Sequence, residues 1–521
     1  MTLLKDGEEV ELKLALAPED APRVARSAII RKHVQGKARV RQLRAIYYDT
    51  PDHTLRAQDA ALRVRKEGRQ WVQCVKTAGK GGGGLSSRRE VENIVPRAAF
   101  DLSLLAESDL STILPAELAA TLGPVFETDI RRTSRTLLLE DGTKVDIDMD
   151  NGDLIAGETR EAVSEVELEI HEGDPVHVFR IARGLLETIP VRLSTLSKAA
   201  RGYTLADGGK APWTKAGIPS LNANMSVEEA LSVIIHACMD HLLANEACVL
   251  GRAHIEGVHQ MRVATRRLRS ALSLFKKLLP EEQVIRFNGE LKWLINEMGP
   301  ARDWDVFLDE TLPPVAEGLE DDGAMEALTR AAETRRTSAY DRSEAAIRSK
   351  RYTELLLDLG EWVQVRGWQD QPLSPTAAQL FAPVSNIAAG LLHKRYRKVR
   401  KLGKGFETLS TEARHEVRIA MKKLRYATEF LSSLYPKSEV VPYVAALKNM
   451  QDGLGMMNDI SVMRELLGGL ATGARGNDAR NVAMASGAVI GWHEHIFRSH
   501  EKDMITAWSA FAKAKPFWPQ L

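Results

Sequence analysis

The sequence predicts an α+β protein of two parts, a closed antiparallel β-barrel followed by an all-α region. Up to about residue 203, charged and apolar residues alternate, as in strands whose successive side chains point to opposite faces. From residue 227 onward this alternation stops and long helices of mixed charge follow. The helical part also repeats itself at an offset of 156 residues, which predicts two similar bundles related by a pseudo-twofold axis.

The barrel prediction depends on eight period-two segments. They lie near residues 8–16, 43–50, 60–67, 70–77, 87–95, 131–140, 143–150 and 162–170. Asp141-Gly142 is a typical hairpin turn, and eight mainly antiparallel strands suffice to close a barrel. Flanking helices are expected over 18–34, 100–122 and 174–188. The Gly- and Pro-rich stretch 206–226 predicts a linker between a domain at 1–205 and a helical domain at 227–515.

Several predicted strands carry one apolar face and one densely ionic face. Like charges aligned across a solvent-facing sheet cost stability, so a shared interior cavity explains these faces better. Such a cavity would hold both carboxylates and cations and would suit a metal-bound polyanion. The charged series are Glu9-x-Glu11-x-Lys13, Arg63-x-Arg65, Arg88-x-Glu90-x-Glu92, Lys144-x-Asp146-x-Asp148-x-Asp150 and Glu165-x-Glu167-x-Glu169.

Length and composition narrow the class of protein. A chain of 521 residues exceeds one ordinary core, and two or three domains are expected. Because the formal net charge is only +1, polyanion binding has to come from local clusters of charge. The three cysteines have no metal-type spacing, and neither a membrane-length apolar run nor a signal peptide is apparent. We therefore expect a cytoplasmic protein without a membrane partner.

A triphosphate fits the chemistry of the predicted cavity. It carries about four negative charges and needs several Lys and Arg at once, with Arg favoured for bidentate contacts. Its hydrolysis also needs a divalent metal, and Mg²⁺ and Mn²⁺ prefer carboxylate ligands. We expect the two groups on opposite walls. The candidates for the phosphate wall are Lys13, Arg63, Arg65, Lys76 and Arg88, and those for the metal wall are Glu9, Glu11, Glu165, Glu167 and Glu169.

These motifs, in this order, resemble the CYTH family, also called triphosphate tunnel metalloenzymes. The resemblance spans residues 1–203. Besides the charged series, it includes Tyr47-Tyr48-Asp49-Thr50-Pro51, Val75-Lys76-Thr77, Thr128-Asp129 with Arg132, Asp150-x-Gly152, and Ser197-Lys198 with Arg201-Gly202-Tyr203. Two features depart from the family pattern: Cys74 stands where related sequences often carry Thr, and Asp146 and Asp148 add acid to their strand.

The resemblance implies a closed barrel whose basic lumen holds a triphosphate, with Mg²⁺ or Mn²⁺ on carboxylates, and hydrolysis of the terminal phosphoanhydride. Some members instead cyclise ATP or use thiamine triphosphate. Carried to this sequence, the catalytic residues are Lys13, Lys76, Glu90 and Glu165, with either Glu90 or Glu165 ordering the attacking water. The substrate-binding residues are Lys13, Arg63, Arg65, Lys76, Arg88, Arg132, Lys198 and Arg201. The metal ligands are Glu9, Glu11, Asp148, Glu167 and Glu169.

The helical part carries two basic stripes. His259, Arg262, Arg266 and Arg269 are spaced along one helical face, and the repeat places His415, Arg418, Lys422 and Arg425 on another. The stretch 259–280 contains no acidic residue, and 391–405 adds further Lys and Arg, including Arg397. Because like charges at this spacing destabilise a helix, we interpret the stripes as a groove for an extended polyanion.

These helices resemble the CHAD domain over residues 225–515. The resemblance implies binding of inorganic polyphosphate by both stripes, and association with polyphosphate granules. One alternative is that some of these Arg pair with Asp303, Asp305 or Asp459. RNA or DNA is the competing ligand, but the helices contain no recognisable nucleic-acid module and we do not expect nucleic acid to be the partner. A non-catalytic polyphosphate-binding protein is the alternative to the enzyme.

Overall fold

A computed structural model describes residues 8–77, 81–105, 120–319, 323–372, 374–471 and 476–519, with the backbone alone at 8, 9, 88, 89, 105, 471, 476 and 477. The chain forms two compact units. The sheet unit consists of Met1–Thr214, Met239–Gly257 and Ile347–Gly367. The helical unit consists of Lys215–Cys238, Val258–Ala346 and Trp368–Leu521. The boundaries predicted at 205 and 227 remain predictions.

The sheet unit contains a curled antiparallel sheet of nine strands in the order β5-β4-β3-β2-β6-β7-β8-β1-β9. β1 also pairs with β5, through Leu12 opposite Leu85 and the residues before Leu12. The strands are β1 (Glu8–Ala15), β2 (Val34–Asp49), β3 (Ala61–Glu67), β4 (Gln70–Thr77), β5 (Leu85–Val95), β6 (Gly123–Leu138), β7 (Lys144–Ala156), β8 (Thr159–Glu172) and β9 (Arg192–Ser194).

The predicted antiparallel sheet is confirmed, whereas closure into an eight-stranded barrel stays a prediction. The strand count differs because of β9, a segment too short to show periodicity, which pairs with β1 through Leu193 opposite Leu14. β2 is also longer than expected: it begins at Val34 instead of near residue 43. The predicted helix over 18–34 is wrong as a continuous element, because the chain turns at 25–27 and then enters β2.

The described part of the first 206 residues contains five short helices, all in the sheet unit. They are α1 (Ala21–Val24), α2 (Ala28–His33), α3 (Thr54–Ala57), α4 (Val176–Leu186) and α5 (Lys198–Ala206), with 3₁₀ turns at Pro18–Asp20 and Leu102–Leu105. The helix predicted over 174–188 is confirmed as α4. Most of the helix predicted over 100–122 lies outside the described residues.

Helical segments from later in the sequence complete the sheet unit. Gly360 packs against the ring of Phe179 in α4, close enough that a Cβ at Gly360 would lie 2.3 Å from Phe179 Cε1. Glu361 accepts hydrogen bonds from Arg180 and Arg183, at 3.1 and 2.7 Å. Residues more than 170 positions later in the sequence therefore pack against α4.

The remaining chain is helical. Its α-helices are α6 (Val227–Leu243), α7 (Glu246–Leu250), α8 (Glu256–Phe275), α9 (Glu281–Val306), α10 (Pro313–Gly318), α11 (Ala324–Arg348), α12 (Lys350–Gln364), α13 (Ser385–Leu402), α14 (Thr411–Leu431), α15 (Lys437–Ala471) and α16 (Gly476–Lys513). A π-helical turn spans Phe307–Thr311, and 3₁₀ turns span Gly367–Gln369, Ala377–Phe381, Phe406–Thr408 and Ser432–Leu434. Since α15 begins 156 residues after α9, the helices follow the sequence repeat.

One helical stretch, Val227–Leu250, is long and apolar enough to cross a membrane by length and composition alone, with a mean hydropathy of 1.3. Of its most apolar window, 61% is buried inside the protein. The core helix of a water-soluble protein passes the same test, so this stretch is weak evidence of a membrane span.

Gly202 marks a close approach of α5 to the sheet. A Cβ at Gly202 would lie 2.1 Å from Cε2 of Phe126. Phe126 is buried and stacks on Tyr47, with ring centroids 4.4 Å apart. The ring therefore has little room to move away from α5.

We expect Gly202→Ala to lower the free energy of unfolding by about 1–3 kcal/mol, because the added methyl group overpacks this aromatic cluster. Chemical denaturation followed by circular dichroism measures the change. Gly123→Ala is the matched control, since its Cβ would meet no atom within 4 Å. Equal stability of the two variants would contradict this account of α5.

Candidate functional site

Strand alternation directs the charged faces inward. In β1, Leu12 and Leu14 are fully buried on one face while Lys13 occupies the other. In β7, Ile147 is buried between Asp146 and Asp148. The apolar faces point away from the inside of the curled sheet and are buried in the hydrophobic core. The ionic faces therefore line a common cavity inside the sheet, of about 270 Å³.

The cavity lining combines both signs of charge in equal number. Eight cations and eight carboxylates belong to the described lining, with a few polar and apolar residues between them. The cations are Lys13, Arg39, Arg41, Arg63, Arg65, Lys76, Arg132 and Lys198. The carboxylates are Glu11, Glu90, Glu92, Asp146, Asp148, Asp150, Glu167 and Glu169.

Glu167 lies at the centre of the first ionic cluster. Its carboxylate is 2.9 Å from Lys13 Nζ and 3.1 Å from Lys198 Nζ, and it also accepts from Arg132. Burial alone would raise the pKa of Glu167, yet Lys13, Lys198 and Arg132 hold it well below its usual range. Burial likewise opposes the charges of Lys13 and Lys198, but the surrounding carboxylates raise both pKa values. All these groups stay ionised at neutral pH.

Asp150 is the second centre of this cluster and is completely buried. Arg132 donates to both its oxygens, from Nε at 2.7 Å and from Nη2 at 2.6 Å, and Lys198 Nζ lies 2.6 Å away. Despite its burial, Lys198 and Arg132 lower the pKa of Asp150. Asp148 differs, since burial raises its pKa even though Arg132 donates to it at 2.6 Å.

The second ionic cluster lies on β3, β4 and β5. Arg63 is 3.5 Å from Glu90, Arg65 is 3.3 Å from Glu92, and Lys76 forms an ion pair with Glu90. The Nε atoms of Arg63 and Arg65 are buried and have no hydrogen-bond partner among the described residues. Such unfilled donors are suited to an anion with several oxygens.

Most of the predicted tunnel residues meet in this cavity. Those lining it are Glu11, Lys13, Arg63, Arg65, Lys76, Glu90, Arg132, Asp148, Glu167, Glu169 and Lys198. Glu165 is 2% exposed and lies behind the lining, in contact with Lys198 and 3.4 Å from Arg201. Arg201 donates to Glu161 and to the Ala162 carbonyl, at 2.8 Å each, outside the lining. The side chains of Glu9 and Arg88 lie outside the described residues.

The prediction of a cationic wall opposite an acidic wall is wrong. Each cluster contains both signs, because a buried charge needs an opposite charge in contact with it. Arg39 and Arg41 were not predicted as site residues; they belong to the part of β2 before residue 43, for which no strand was predicted. Their own period-two spacing was the available signal. The charged series included Asp146, Asp150 and Glu92, but no catalytic, binding or metal-ligating function was predicted for them.

Three carboxylates fit a divalent metal. Asp150, Glu165 and Glu167 each offer an oxygen, and these atoms lie within 4.8 Å of one another. Such a set of hard oxygen donors suits Mg²⁺ or Mn²⁺. The Lys198 ammonium contacts all three carboxylates, so a metal ion there would take its place. Cys74, Glu90 and Glu92 form a second group with the same spacing.

The helical unit has a separate basic cavity of about 860 Å³, here called the groove. Arg266 and Arg269 of α8 line it together with Lys422 and Lys423 of α14, so residues from the two sequence repeats meet there. The complete described lining is Arg266, Arg269, Ser270, Ser273, Lys276, Lys277, Leu279, Glu281, Val284, Ile285, Asn288, Ile419, Lys422, Lys423 and Tyr426.

The cations of the groove lack sufficient counter-charge. Burial, together with Arg266 and Arg418, lowers the pKa of Lys422 to about 7. The pKa of Arg269 is also lowered, by burial and by Arg266. The buried Nε of Arg269 has no hydrogen-bond partner among the described residues. An anion in the groove would relieve this repulsion.

Other predicted polyphosphate-binding residues lie elsewhere. Arg262 donates to the Ile295 carbonyl at 3.2 Å and is 3.9 Å from Asp303, as the pairing alternative anticipated. Arg418 donates to Asn458 at 2.8 Å.

Arg425 donates to Glu429 at 2.7 Å and to Gln451 at 3.1 Å, so its guanidinium already has protein partners. Arg397 lines a different cavity, with Arg400, Lys401 and Lys404. His259 and His415 are not among the groove residues. The groove thus uses only part of each predicted stripe, because a helix face directs only some of its residues into any one cavity.

Two family models match the chain, one in each half of the sequence. The model of the CYTH domain matches residues 7–203, and that of the CHAD domain matches residues 233–468. An inorganic triphosphatase of Haemophilus influenzae is 32% identical over 212 residues, which are 38% of this chain. The aligned part spans about half of that relative, 55% of its length. An uncharacterized protein of Mycobacterium tuberculosis is 28% identical over 74% of this chain and 75% of its own length.

The CHAD domain of the plant Ricinus communis, solved by crystallography, superimposes with a TM-score of 0.51 at 29% identity, over 60% of this chain and 99% of that one. Both halves of the sequence therefore have identified relatives. The chain carries a match to the CYTH domain followed by a match to the CHAD domain.

Proposed function

We propose that the sheet unit hydrolyses inorganic triphosphate to diphosphate and phosphate in a metal-dependent reaction, and that the helical unit binds inorganic polyphosphate. The observation that carries the proposal is the cavity lining, whose described residues combine eight cations with eight carboxylates. The similarity to an inorganic triphosphatase supports the same reaction class.

The cations are suited to hold the phosphate groups. In addition to their ion pairs, Arg63 and Arg65 have Nε donors that no described residue accepts from, and Lys76 lines the same cavity. Lys13, Arg132 and Lys198 would give up contacts with carboxylates in exchange for phosphate oxygens. In a site shielded from water, such preformed charges stabilise the charge that spreads over the transferring phosphoryl group.

Charge balance supports the need for a metal. A triphosphate brings about four negative charges, while the described lining is neutral as a whole. A divalent cation would offset about half of this charge, and Asp150, Glu165 and Glu167 are the residues that would hold it once Lys198 turns from them to the phosphate. Bound there, Mg²⁺ or Mn²⁺ would supply a Lewis acid and a template for the attacking water.

The structure supports Glu90 over Glu165 as the residue that orders this water. Glu90 lines the cavity, next to Lys76 and Arg63. Glu165 is buried and occupied by Lys198 and Arg201. An ordering base has to reach the water by hydrogen bonding, which only a side chain open to the cavity can do.

Lys76→Ala should lower kcat/KM for inorganic triphosphate about 100- to 1000-fold, the usual loss for one charged contact to a transition state. A phosphate-release assay with triphosphate, ATP and thiamine triphosphate side by side measures this loss and the substrate preference. Lys66→Ala is the matched control, because Lys66 lies over the Trp71 ring, 5.7 Å from its centroid, on the outer face of the sheet. Unchanged turnover in both Lys76→Ala and Glu11→Gln would count against the cavity as the catalytic site.

Metal removal should abolish hydrolysis. We expect dialysis against EDTA to lower turnover at least about 100-fold, because the neutral lining cannot offset the triphosphate charge. Adding Mg²⁺ or Mn²⁺ should restore it, while an equal ionic strength of NaCl should not. Full activity in EDTA would show that the carboxylates serve another purpose.

Binding of long-chain polyphosphate to the full-length protein should weaken as pH rises from 6 to 8. Lys422, with a pKa of about 7, is charged below that pH and loses its proton above it in the free protein. A bound polyanion favours the charged form, so binding takes up a proton above pH 7 and affinity falls by up to about tenfold per pH unit.

Isothermal titration in buffers of different ionisation enthalpy measures this proton uptake. Lys422→Arg keeps the charge at all these pH values and should flatten the pH dependence. An equally steep dependence in Lys422→Arg would assign it to another group.

A further inference from the structure

Three helix faces of different chemistry line the groove. α8 contributes Arg266, Arg269 and two serines, and no carboxylate within the described lining. α9 contributes Val284, Ile285 and Asn288, which share one helical face, together with Glu281 at its first position, and no cation within the described lining. One wall of the groove is therefore basic, and another is largely apolar.

An inorganic phosphate chain can use only the basic wall. Ile285 is 65% exposed although it borders a dense cluster of cations. Leu279, Val284 and Ile419 extend this apolar surface. Occupation by a bare phosphate chain would leave the apolar wall in contact with water, whereas a ligand with an organic ring would bury it.

α14 presents both chemistries on one face. Ile419, Lys422, Lys423 and Tyr426 follow the spacing of residues that share a helix surface. The two lysines are flanked by an aliphatic side chain on one side and an aromatic ring on the other. A phosphate chain held by the lysines would bring its end group within reach of Ile419 or Tyr426.

We propose that the groove binds nucleoside oligophosphates, with the phosphate chain on the α8 and α14 cations and the base against the apolar residues of α9 and α14. The inference rests on the proposed phosphate binding by this groove and specifies its ligand. The cavity volume of about 860 Å³ accommodates such a molecule. Tyr426 is the one aromatic side chain in the described lining, which fits a single base and not the row of rings used for single-stranded nucleic acid.

The test compares adenosine 5′-tetraphosphate with inorganic tetraphosphate by isothermal titration of the full-length protein in EDTA, which suppresses hydrolysis. We expect the nucleotide to bind at least about fivefold more tightly, the lower end of what one stacked base contributes. Ile285→Ser should weaken nucleotide binding about fivefold and tetraphosphate binding less than about twofold. Lys422→Met should weaken both.

Ile218→Ser is the matched control, because Ile218 is 64% exposed and is not a groove residue. None of these changes alters the cavity of the sheet unit, so differences between variants report on the groove alone.

Two results would separate this inference from the proposed function. Equal affinities for both ligands, each weakened by Lys422→Met, would overturn nucleoside recognition and leave polyphosphate binding intact. No effect of Lys422→Met on either ligand would overturn both. Tighter binding of an RNA oligonucleotide of matched charge, sensitive to Ile285→Ser, would replace the nucleotide with nucleic acid.

Discussion

The structure of the sheet unit depends on the mutual pairing of buried charges. An ionised side chain is tolerated inside a protein only when opposite charges and hydrogen bonds surround it. Strand register meets this requirement: Lys13 of β1 is the direct neighbour of Glu167 in β8, and Arg132 bridges Glu167 to the like-charged Asp148 on its other side. A shift of β8 by one residue would turn Glu167 outward and leave Lys13 without its nearest partner. The ionic network and the sheet register therefore determine each other.

This pairing also shapes how a substrate would enter. The cations that would hold a polyanion are occupied by carboxylates, so binding exchanges one set of partners for another. The carboxylates released in this exchange are the ones placed to hold a divalent cation. Under the proposed function, anion and cation uptake would be linked, since either one alone would leave buried charges unpaired. Such linkage would favour the metal–phosphate complex over either component.

Strand alternation and motif order sufficed to predict the antiparallel sheet and most of the cavity lining, because period two alone decides which face a side chain joins. Residues whose position depends on tertiary packing were less predictable. Arg201 lies on the helix α5 and not on a strand, and it donates to Glu161, outside the lining. The helical stripes were found by spacing, but spacing does not tell which neighbours a helix meets, so Arg262 and Arg425 were assigned to a groove that they do not line.

The sheet unit is assembled from three separate stretches of sequence, so it cannot be cut out of the protein as one continuous segment. Its buried helix α4 is covered by residues near 360, and the buried Glu246 accepts from Tyr352 with Arg192 of β9 3.7 Å away. A shortened chain ending after residue 205 would lose all of these later residues and expose Phe179 to solvent. The sheet unit therefore completes its packing with residues 239–257 and 347–367, which lie within the part of the sequence that the CHAD model matches.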